Sequence, residues 1–86
     1  MKLIKDNEKG KVYDGSDLKV FYRKNGSISG DNDVNSYEKI YLIEGEVELT
    51  IADKVKNITA PAEFEIPENT YHKIVALKDV AFVLLK

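Results

Sequence analysis

From Glu46 to Ile51 the chain reads Glu-Val-Glu-Leu-Thr-Ile, a strict alternation of polar and apolar side chains. Successive side chains of a strand point to opposite faces, so this stretch offers Val47, Leu49 and Ile51 to a core and turns Glu46, Glu48 and Thr50 away from it. Its neighbour, residues 37–44, is less clear, with apolar side chains on both faces. No window sustains the i, i+3, i+4, i+7 apolar spacing of an amphipathic helix, while short alternating or β-branched runs recur between turn signals. Strands are expected over 2–5, 11–13, 18–23, 37–44, 46–52, 54–58, 63–66, 72–77 and 80–85. Asp14-Gly15-Ser16, Asn25-Gly26, the segment from Asp31 to Ser36 and Asp53 supply the reversals, and Pro61 and Pro67 bracket one strand. Strands this short and this evenly spaced imply an all-β fold, either an antiparallel barrel or a two-sheet sandwich.

The 86 residues make one domain, 1–86. A chain this short buries only about 60–65% of the surface that its unfolded form exposes. There is no Cys, so a closed core, a bound ligand or a second subunit must do what disulfides do elsewhere. Thirteen basic against fifteen acidic residues leave a formal charge of −2, which gathers no phosphate backbone and makes nucleic acid an unexpected partner. The stretch MKLIKDNEKGKVY lacks the apolar segment of a signal peptide, and no run approaches the roughly 18 apolar residues of a membrane helix. A soluble, cytoplasmic protein is expected.

A turn centred on Glu44-Gly45 would pair Leu42 with Val47, Ile40 with Leu49 and Glu38 with Ile51, turning Glu38 inward. A three-residue loop would shift the register by one and turn it outward. The inward register puts Tyr37, Tyr41 and Ile43 on the outer face as an apolar stripe, for which a homodimer contact is the natural use and scattered surface aromatics the alternative. A carboxylate inside a barrel must be paired, hydrogen-bonded or metal-bound. Asp31, Asp33 and the sole histidine, His72, are the partners at hand. Three carboxylates and one imidazole suit manganese, iron(II) or magnesium better than copper or a structural zinc. The same GDNDVNS segment also reads as a plain turn whose Asp and Asn side chains bond local amides. A calcium loop is excluded, because counting from Asp31 the sixth residue is Ser36 instead of Gly and the twelfth is Leu42 instead of Glu. Tyr71 and Tyr22 are placed to line a pocket or simply to pack at strand ends. The run KVFYRKNG interleaves rings and cations as single-strand-binding barrels do, but the acidic remainder of the chain argues against that fold.

These residues resemble the two motifs of the cupins. The first cupin motif is His-x-His, three or four residues, Glu, six residues, Gly; Asp31-Asn32-Asp33, Glu38 and Gly45 stand at that spacing. Of the second motif, Pro67 and His72 are present, with Asn69 in place of a glycine whose positive φ it tolerates. The resemblance runs from about Asp31 to Leu84 and implies a jelly-roll β-barrel. By position it implies Asp31, Asp33, Glu38 and His72 as metal ligands, with Glu38, His72 and Tyr71 facing a bound small polar molecule. Both first-motif histidines are Asp here, and Pro61 and Ala76 stand at the outer positions of the second motif. A single His excludes a site of two or three histidines plus a carboxylate within one subunit, which argues against the oxygenase chemistry such sites support. Two functions follow. One is a binding protein or enzyme whose divalent cation polarises a sugar or keto acid; the other is a metal-free sensing or assembly module.

Overall fold

The computed structural model describes residues 1–86. Ten strands form two antiparallel sheets: β1 (Lys2–Asn7), β2 (Gly10–Asp14), β3 (Leu18–Arg23), β4 (Ile28–Asn32), β5 (Glu38–Glu44), β6 (Glu46–Ile51), β7 (Lys54–Thr59), β8 (Ala62–Ile66), β9 (His72–Ala76) and β10 (Val80–Leu85). One sheet has the order β1-β2-β3-β10-β5-β8 and the other β4-β9-β6-β7. The repeated jumps between non-consecutive neighbours are those of a jelly roll. There is no helix, and so none long and apolar enough to cross a membrane.

Alternation sets what enters the space between the sheets. Ile40 and Leu42 of β5, Phe64 and Ile66 of β8 and Val80 and Phe82 of β10 meet Val47 and Leu49 of β6 and Ile74 and Ala76 of β9 in one core. Phe82 stacks on Phe21 of β3, with ring centroids 4.6 Å apart and planes 10° from parallel. Since Phe21 faces inward, alternation sends Lys19 and Arg23 of the same strand inward too, at its two ends.

Two expectations need correction. The segment 37–51 is not a hairpin: β5 pairs with β10 and β8, while β6 pairs with β7 and β9. Gly45, at φ 89, carries the chain from one sheet to the other, and a Cβ there would lie 2.5 Å from the Asp79 carbonyl oxygen. Glu38, Ile40 and Leu42 therefore face Val47, Leu49 and Ile51 across the core. Glu38 points inward, but by sheet-on-sheet packing. Secondly, residues 28–32 form a strand that the sequence pattern does not announce. β4 pairs with β9, and its register shifts between Gly30 and Asn32 so that Asp31, at φ 65, is bulged out.

On the outer face Tyr37 and Ile43 are exposed and Tyr41 is half-buried. Lys39 stands between them, 3.5 Å from Glu63 and 3.6 Å from Glu65, with its ammonium 5.7 Å from the centre of the Tyr41 ring. The stripe is thus two apolar ends joined by a cation held on an aromatic face.

Candidate functional site

The interior opens at the end where β5 and β9 begin. A cavity of about 310 Å³ lies there, with Ile40, Ile66, Ile74, Phe21 and Phe82 as walls and Lys19, Asn32, Asn35, Glu38 and His72 as polar groups. Glu38 comes from the six-stranded sheet and His72 from the four-stranded one, so the two approach from facing walls. The His72 Nε2 lies 3.7 Å from Glu38 Oε1, with side chains 6% and 21% exposed.

The imidazole is held from behind. Its Nδ1 lies 3.1 Å from the Thr70 carbonyl oxygen. A carbonyl only accepts, so Nδ1 carries the proton and Nε2 is the atom presented to the cavity. Thr70 is fixed in turn by Asn35, whose Oδ1 accepts from the Thr70 amide at 3.2 Å while its Nδ2 donates to the carbonyls of Ser36 and Pro67. The Asn35 carbonyl also accepts from the Asn69 amide at 2.8 Å. Asn69 has φ 49, the left-handed conformation expected of it. Gly30 closes the remaining side: a Cβ there would lie 2.7 Å from His72 Cδ2 and 2.9 Å from Nε2. At 3.7 Å the Nε2–carboxylate gap is too long for a direct hydrogen bond. Nε2 and the carboxylate are both acceptors, so a ligand hydroxyl or ammonium can donate to either of them, and either can take a proton from such a donor.

The other residues expected at the site lie elsewhere. Because Asp31 is bulged, its carboxylate turns outward and accepts a hydrogen bond from the Tyr71 hydroxyl at 2.6 Å. That bond holds the Tyr71 phenol above its ordinary 10, since ionising it would forfeit the contact. Tyr71 is thereby an outer-surface residue and does not line the cavity. Asp33 is exposed, and Asn32 spends its Oδ1 on the Val34 amide at 3.3 Å. No three Asp, Glu, His or Cys side chains gather as a donor group for one ion. The set Asp31, Asp33, Glu38 and His72 therefore does not fit a resident metal: two donors converge and two are turned away. Lys19 and Asn35 were missed. Residues 18–23 carry apolar side chains at 18, 20, 21 and 22, so alternation alone does not say which way Lys19 points, and Asn35 is legible only as a turn residue.

No protein-family model matches the chain, and no curated protein matches it by sequence. Solved structures match it by shape. KdgF from Halomonas sp. superposes with a TM-score of 0.77 at 17% identity, over 99% of this chain and 84% of that one. Oxalate decarboxylase from Bacillus subtilis, a protein with Mn(II) centres, gives 0.76 at 22% identity over 96% of this chain and 26% of its own. A cupin-2 domain from Rhodospirillum rubrum gives 0.71 at 15% identity, and this chain spans 55% of its length. Likeness at such identities is likeness of fold, and it agrees with the motif spacing around Glu38, Gly45, Pro67 and His72. In fold, this chain is similar to the cupin barrels among these structures.

Proposed function

We propose that the chain binds a small polar molecule in the Glu38–His72 cavity without needing a resident metal ion. The carrying observation is the convergence of these two side chains, 3.7 Å apart, on facing walls of a cavity of about 310 Å³. That volume lies at the small end of ligand sites, and largely apolar walls with a few convergent polar groups are the usual composition of one. Lys19 adds the positive charge that would select a ligand bearing a carboxylate or similar anion beside its hydroxyl group. The chemistry of the fold neighbours, small acids included, enters only as analogy. An ion placed here would have two protein donors and would depend on the ligand's own oxygens for the others.

His72 is the only histidine, so its imidazole signals in an NMR spectrum report the site directly. Glycolate, glycerate or galacturonate should shift them saturably in the presence of EDTA, and Glu38→Gln should weaken the response about tenfold, the loss of the charge-assisted hydrogen bond from the ligand hydroxyl. Failure of all three probes would remove the proposal. Stoichiometric broadening of the same signals by equimolar Mn(II) would replace it with the cation-dependent reading.

A second reading concerns assembly, as the outward Tyr37, Tyr41 and Ile43 favour a homodimer contact built on the Lys39-bridged stripe. Tyr41→Lys sets a second ammonium beside Lys39 and should convert a dimer to a monomer in sedimentation velocity. A variant that still sediments as a dimer places the contact elsewhere.

A further inference from the structure

Arg23, the only arginine of the chain, is 7% exposed, and its Nε has no hydrogen-bond partner. None of the ion pairs of the protein includes it. A buried donor left without an acceptor is costly, and the guanidinium borders space in which a ligand could supply acceptors. Arg23 borders an open cavity of about 450 Å³ at the end of β3 opposite Lys19, about 13 Å away along the strand. The residues around it explain how the cation stays there. Gly10 sits across from it on β2, at φ 130, and a Cβ at that position would lie 1.8 Å from the Tyr22 carbonyl oxygen, so the two strands meet with no side chain to shield the guanidinium. Glu44, Asp6 and Asp79 line the same cavity but do not reach ion-pair distance.

We infer that this cavity is a second binding site, for a small monocarboxylic acid that also carries a hydroxyl or ammonium group. The planar guanidinium matches a carboxylate with two parallel N–H···O bonds, a fit a lysine cannot reproduce. The charged lining residues, Arg23, Lys11 and Lys24 against Asp6, Glu44 and Asp79, balance. A singly charged ligand suits that balance better than a phosphate dianion. The carboxylates near Arg23 then serve as acceptors for the donor group at the far end of the ligand, while Asp79 also holds the Asn25 amide at 2.9 Å and lies 4.0 Å from the Lys24 ammonium. This site shares no residue with the Glu38–His72 cavity.

Because Arg23 is unique, its Nε–H gives a single assignable resonance in a spectrum of the ¹⁵N-labelled full chain. Titration with lactate or alanine should move that resonance and the Gly10 and Asp79 amides saturably, and Glu38→Gln should leave that response intact. Acetate, which lacks the donor group, should bind about tenfold more weakly. Arg23→Lys should weaken lactate binding by a similar factor, and Arg23→Met should abolish it. If either variant fails to fold, the wild-type titrations alone decide. No saturable shift from lactate or alanine, or tighter saturation by inorganic phosphate than by both, overturns the assignment.

Discussion

Phe82→Ala will lower the unfolding free energy by about 3–5 kcal/mol, the range for removing a buried aromatic ring. For a chain of this length the whole margin is roughly 4–13 kcal/mol, so the variant stands near the edge of folding. The ring is 3% exposed and lies flat on Phe21. Its strand is held between β3 and β5 in the middle of the six-stranded sheet, which cannot collapse into the space left without breaking register. Phe82 also forms the inner wall of the Glu38–His72 cavity. The substitution therefore merges a packing void with the ligand space and should loosen binding as well as folding. Urea denaturation measures the first effect as a lower midpoint at unchanged slope. A loss below about 1 kcal/mol would mean that the ring is not packed as described.

Gly30→Ala should disable the cavity while sparing most of the fold. Gly30 has φ 84, where an L residue carries about 1–3 kcal/mol of backbone strain. The new methyl would also meet His72 at three atoms, Cδ2 at 2.7 Å, Nε2 at 2.9 Å and the carbonyl oxygen at 3.1 Å. That carbonyl belongs to the β4–β9 pair and the imidazole is tied to Thr70, so neither can yield without losing a bond. We expect displaced imidazole signals and binding at that cavity weakened at least about tenfold, with the Arg23 Nε–H resonance unmoved. Unchanged imidazole signals would show that the ring has room to move aside.

The strands with the strongest alternation or with proline boundaries were legible, β6 and β8 among them. β4 was not. Its sequence, Ile-Ser-Gly-Asp-Asn, is built of turn formers, and it is a strand because β9 offers a free edge, a tertiary cause that no local pattern carries. The Glu44-Gly45 reversal was visible, but a turn inside one sheet and a crossing between two use the same glycine. Motif spacing placed Glu38 and His72 together correctly, because each begins a strand whose inward face is set by the apolar residues two and four positions on. The same spacing failed for Asp31 because one bulged residue rotates a side chain out of its row, and spacing is blind to bulges.

The stacked Phe21 and Phe82 rings pack inside the barrel, and Lys19 and Arg23 stand two residues to either side of Phe21 on β3. The cavities beside the imidazole and the guanidinium have no lining residue in common. On the two proposals made above, unlike molecules would therefore not compete for the same space.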